Sequence, residues 1–123
     1  MRNMSFMLTT QQMYDKTKTV TRRIGWWYLK PGDVVMACEK CQGLKKGEKI
    51  KRIHPIKIVS VNKEPLEHIK LPFFYCPSEE TAREGFPNLS AVEFVKMFRK
   101  EMKCKVYTVV NRIEFEHLDT NEE

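Results

Sequence analysis

The strongest constraint on the fold of this chain is the contrast between one long helical repeat and the short, interrupted runs before it. Ser90 and Glu93 form a capping box, and Ala91, Val95, Phe98 and Met102 follow at helical spacing, which predicts a helix with a single apolar stripe. Upstream, prolines and glycines leave no run that long. Ser5–Leu8 predicts a short strand, Thr9 or Thr10 a cap for a brief helix over Gln11 to Lys16, and Lys18–Arg23 a second strand. The Leu29–Asp33 turn leads into a buried strand at Val34–Cys38, and Gly43 and Gly47 punctuate a lysine-rich loop. Ile50 to Val61 reads as a strand with an irregularity or edge position at Pro55, and the broken alternation of Ile56, Ile58, Val59 and Val61 predicts a bulge or burial on both sides. Glu64–Leu66 opens a turn or short helix, and Leu71–Pro77 predicts an aromatic lid on the core. Ser78 caps a helix over Glu79 to Glu84 that Gly85 ends, and Val106 to Phe115 closes the chain as a strand. This order predicts an α+β fold, a small curled β-barrel flanked by a few helices.

With 123 residues, 41% hydrophobic and 31% charged, the chain reads as one soluble domain over residues 3–118 with an acidic tail at 119–123. No apolar run approaches the ~20 residues a membrane-spanning helix needs. The start lacks a secretory signature, so a cytoplasmic protein without a membrane partner is expected. The formal charge of +6 is unevenly spread, with one cluster at Lys45, Lys46, Lys49, Lys51 and Arg52 and another between Lys96 and Lys105. Such patches suit a partner carrying phosphate. Cys38 and Cys41 have metal-ligand spacing, but no second such pair follows. Packed thiols are therefore expected there rather than zinc, and no cofactor is implied. The oligomeric state stays open.

The chemistry concentrates at Lys18-Thr19-Val20-Thr21-Arg22-Arg23. In a strand, Thr19, Thr21 and Arg23 share one face, and Lys18 at its entrance can swing an ammonium over them. A hydroxyl between an ammonium and a guanidinium suits an oxyanion, a carbonyl or a phosphate, whereas the plainer alternative is a solvated edge strand. Tyr14, Trp26 and Trp27 either stack on a base or pack in the core.

These residues resemble a known family. The Lys18–Arg22 K-T-V-T-R segment, Pro31-Gly32-Asp33-Val34-Val35, and Glu84-Gly85-Phe86-Pro87 ahead of Phe94 are similar to the ASCH domain, over about Ser5 to Phe115. The resemblance implies a PUA-like β-barrel and RNA binding in the cleft between barrel and helices. Some ASCH proteins are amidohydrolases that remove the acetyl group of N4-acetylcytidine, and others are ribonucleases. The likeness to the amidohydrolases implies Lys18, Thr21 and Glu84 as catalytic residues, with Arg23 matching the family's arginine. The lysine-rich insert at Cys38–Arg52 and the Phe73–Pro77 loop depart from the minimal enzymes and point to a substrate larger than a free nucleoside.

The first expectation is therefore an RNA- or nucleic-acid-binding protein that takes a base or modified nucleoside in a cleft, with Thr19, Arg23, Trp26, Lys45, Lys46 and Arg52 as binding residues. The alternative is amide hydrolysis on an N4-acetylcytidine-type nucleoside: Thr21 attacks, Lys18 is made partly neutral by burial, and Glu84 carries a proton to the leaving amine. Ribonuclease action is the third expectation, with Lys18 or Arg23 stabilising the phosphorane.

Overall fold

Among the described residues the chain forms five strands: β1 (Asn3–Ser5), β2 (Val20–Arg23), β3 (Val34–Cys38), β4 (Arg52–Pro65) and β5 (Val109–His117). Helices α1 (Thr10–Tyr14), α2 (Glu79–Arg83) and α3 (Ala91–Met102) and a 3₁₀ turn at Leu66–Lys70 complete an α+β fold. The computed structural model describes residues 1–70 and 77–119. The expected aromatic lid at Leu71–Cys76 and the end of the acidic tail at 120–123 lie outside those residues. Among the described residues no helix is long and apolar enough to cross a membrane.

The strands make one mixed sheet in the order β1-β3-β4-β5-β2, with β1 parallel to β3 and the other pairs antiparallel. Strands β1 and β2 are its edges, and no ladder joins them among the described residues, so the backbone does not close the expected barrel. A side chain spans the gap instead. Arg23 Nη2 donates to the Ser5 carbonyl at 2.5 Å, and its guanidinium lies 4.6 Å above the centroid of the Phe6 ring.

Local chemistry accounts for most boundaries. β1 ends before the expected Leu8 because the Phe6 carbonyl is taken up by the turn into α1, where it accepts from the Thr9 amide and from Thr10 Oγ1. Thr9 occupies the N-cap position of α1 without a side-chain capping bond. The β4–β5 register shifts between Ile58 and Ser60, the bulge the broken alternation implied, and Val59 is turned out to solvent. Ser78 and Ser90 both form capping boxes. Along α3 the buried stripe is Ala91, Phe94, Val95 and Phe98, while Met102 is half exposed, because Lys103 adopts a left-handed φ of 52° and ends the helix there.

Two apolar clusters hold the fold. One lies on the sheet, around Met4, Phe6, Met13, Ile56, Ile113 and Phe115. The other joins α3 to the 3₁₀ turn and the start of β5, around Leu66, Ile69, Phe94, Val95, Phe98 and Val110.

Gly85 fixes the join between α2 and the rest. Its φ is +100°, and an added Cβ would stand 3.2 Å from Gln12 Cγ and 3.4 Å from Thr9 Cγ2. Gly85→Ala combines a disfavoured dihedral with an overpacked contact, so a loss of roughly 1–3 kcal/mol is expected in denaturant unfolding. An alanine variant as stable as the parent would show that this join carries no strain.

Candidate functional site

A cavity of about 300 Å³ opens beside the β2 edge, between the sheet and the helices. Its polar side is Lys18, Thr21, Arg22, Arg23 and Glu84; its apolar side includes Phe6, Phe86, Phe94, Met97 and Phe98. The volume lies at the lower end for small-molecule sites.

Two distant parts of the chain build the polar side. Lys18 enters from the start of β2, and Glu84 is the C-cap residue of α2. Lys18 Nζ donates to the Glu84 carbonyl at 2.6 Å and to Glu84 Oε1 at 3.0 Å. Both side chains are nearly sealed from solvent, at 4% and 3% exposure. Burial lowers the Lys18 pKa, helped by the nearby Arg23 and Arg22 charges and opposed by Glu84. Thr21 is buried on the cavity wall, and Arg23 Nε donates to its Oγ1 at 3.1 Å. Burial also pulls Arg23 down to about 10, which leaves it cationic at neutral pH.

Arg22 is the residue the sequence reading passed over. Strand alternation assigns it to the face opposite Thr21, yet it lines the cavity and is buried. Its Nη1 donates to Glu84 Oε2 at 2.8 Å, and its Nη2 lies 2.7 Å from Glu80 Oε2 and 3.3 Å from Glu64 Oε2. Burial works against the Arg22 charge, but Glu84 and Glu80 outweigh it and raise its pKa. Arg22 also faces Arg112 across the β2–β5 ladder, and Glu80 neutralises both by accepting from Arg112 Nε at 2.7 Å and Nη2 at 3.0 Å. The available signal was Glu80 and Glu84 four residues apart, on one side of a short helix. Arg22 Nε is buried with no partner among the described residues.

The main chain of Lys18 is held as firmly as its side chain. His117 on β5 has Nε2 at 2.6 Å from the Lys18 carbonyl and Nδ1 at 2.6 Å from His54 Nε2 on β4. The carbonyl needs a donor, so His117 carries its proton on Nε2, and Nδ1 accepts from His54. Burial lowers both histidine pKa values; Lys16 adds to this at both, whereas Asp119 opposes it at His54. The unfolded chain therefore takes up protons first as pH falls below the ordinary value of 6.5, and folding stability drops with it. Unfolding midpoints are expected to fall between pH 7 and pH 5, with a shallower slope in His54→Gln. An unchanged slope would exclude this pair as the source.

The other sequence-predicted residues lie elsewhere. Thr19 accepts from Arg83 Nε at 3.3 Å and ties β2 to α2, outside the cavity wall. Trp26 lines a separate concave surface with Arg2 and Tyr28. Lys45, Lys46 and Arg52 are exposed and stand apart from the cavity. Cys38 is buried, and burial with the neighbouring Cys41 pushes its thiol up to about 11, so it is protonated at neutral pH. No group of three or more His, Cys, Asp or Glu side chains suited to a metal ion occurs among the described residues. Comparison of the chain with family models, with curated proteins and with solved structures finds no match.

Proposed function

We propose that the protein is an amidohydrolase acting on an acylated pyrimidine nucleoside of the N4-acetylcytidine type. The observation that carries this reading is the convergence of Lys18, Thr21 and Glu84, drawn from β2 and α2, on one cavity wall. A buried ion pair is a weak source of stability, so its presence in a ligand-sized cavity favours a chemical role. The same reading treats the curled sheet as an ASCH-type, PUA-like barrel whose last gap the Arg23 side chain spans.

Each group then has a task. Proton transfer across the 3.0 Å contact from Lys18 to Glu84 leaves a neutral amine beside a carboxylic acid. The amine takes the Thr21 hydroxyl proton as Oγ1 bonds to the acyl carbon. The Arg23 guanidinium, on the same cavity wall, would hold the developing oxyanion. Glu84 returns its proton to the departing cytosine amine as the C–N bond breaks. Water then attacks the threonyl ester, releases the acid and restores Thr21. Incubation with N4-acetylcytidine should release cytidine and acetate in equal amounts, followed by chromatography. No release at any pH between 6 and 9 would end this reading.

One observation favours binding of RNA without chemistry. Lys45, Lys46 and Arg52 are all exposed, as a phosphate-contacting rim requires. That reading expects RNA affinity to fall steeply with salt while acetylcytidine stays intact. Ribonuclease action would instead yield fragments of labelled RNA.

A further inference from the structure

A second surface stands apart from the cavity. It follows β2 directly, where Gly25 and Trp26 both take positive φ, +121° and +58°. A tryptophan in the left-handed region is costly and persists only where its surroundings impose it. Here they do: the buried Asn111 donates from Nδ2 to the Trp26 carbonyl at 3.0 Å, and the Leu29 amide donates to the same oxygen at 3.2 Å. This turn sets three large apolar side chains in solvent, Ile24 at 47%, Trp27 at 44% and Tyr28 at 50% exposure. Two cations accompany them. The Arg2 guanidinium lies 4.3 Å from the Tyr28 ring centroid, and the Lys63 ammonium 5.5 Å from that of Trp27. Trp26 and Tyr28 pack at 5.8 Å and line a shallow concavity with Arg2, Asn3 and Ile24.

We propose that this turn is a stacking platform for unpaired bases of a single-stranded nucleic acid. Rigid aromatic rings with a cation over one face, Arg2 on Tyr28 and Lys63 on Trp27, suit a chain of π-faced bases linked by phosphates that stack on the other face, and such stacking tolerates any base. A duplex offers no free base faces, so the platform selects single strands. The platform and the cavity share two strands: Ile24 follows Arg23 on β2, and Arg2 and Asn3 lie just before Ser5 on β1. A strand stacked on Trp27 and Tyr28 can thus present a neighbouring nucleotide to the cavity. The choice of nucleic acid as partner rests on reading the cavity as a nucleoside site.

The test is a tryptophan-fluorescence titration of the full chain with an unlabelled single-stranded RNA octamer and with its duplex. Quenching by the single strand is expected, with affinity roughly tenfold or more weaker in Trp27→Ala and in Tyr28→Ala. Trp27→Phe should keep most of the affinity. Acetylcytidine hydrolysis by Trp27→Ala should equal that of the parent, because the residue is outside the cavity. Equal affinity for single strand and duplex, or undiminished binding by both alanine variants, would overturn the platform. So would a dimer in sedimentation that Trp27→Ala dissolves, since the occupant would then be a second copy of the chain. Octamer binding that depends on Trp27 would support the platform even if acetylcytidine were never cleaved; that result would remove only the enzymatic reading.

Discussion

Thr21→Ala is expected to lower the rate of N4-acetylcytidine hydrolysis by at least about 10³-fold while leaving the unfolding curve close to that of the parent. The side chain is small, and the bond it loses is one contact from Arg23 Nε at 3.1 Å. Little packing goes with it, so a large kinetic effect would reflect the missing oxygen. Thr21→Ser should retain much of the activity, because the hydroxyl survives. Comparable turnover in the alanine and parent proteins would show that another group, or water, attacks the acyl carbon. The measurement is steady-state cytidine release, with kcat and KM separated, since loss of a nucleophile lowers kcat.

The second large effect is on stability. Glu84→Leu should cost about 3–5 kcal/mol, read from urea unfolding. The carboxylate holds two buried cations at once, Lys18 Nζ at 3.0 Å and Arg22 Nη1 at 2.8 Å; leucine leaves Lys18 only the main-chain carbonyl and Arg22 only Glu80 and Glu64. Lys18→Met should cost less, because Glu84 keeps Arg22 and methionine fills a similar space. The double variant should then be less destabilised than the sum of the two single changes, because the methionine removes one of the stranded charges. Additive losses would mean that the two side chains do not share one energetic unit.

Much of this could be read from the residues alone. The cap at Ser78, the capping box at Ser90, the end of α2 at Gly85, strand β3 and the β4 bulge all follow local rules of turn chemistry and period, and all occur as expected. The family resemblance nominated Lys18, Thr21 and Glu84, and these three line one cavity. What local rules missed depends on how the sheet curls. Alternation sends Arg22 away from Thr21, yet an edge strand under two helical segments can bury both of its faces, and Arg22 meets Glu80 and Glu84 there. Thr19 shares the parity of Thr21 but is claimed by Arg83. Trp26 sits just after the same strand, and its positive φ takes it to another surface. That the sheet stays open between β1 and β2, where a barrel was expected, was equally out of reach, since long-range strand pairing is encoded by no local pattern.

The Arg23–Ser5 contact has a consequence for handling the protein. Among the described residues, strands β1 and β2 each carry a row of backbone groups with no neighbouring strand on one side, the geometry through which sheets of different molecules add to one another. A bulky cation laid across the space between those two borders, with its fork on a main-chain oxygen, obstructs such addition. Arg23 variants made to reshape the cavity are therefore expected to show turbidity or higher-order species in light scattering, in proportion to how little side chain remains. Solubility and the shape of the cavity would then depend on the same guanidinium.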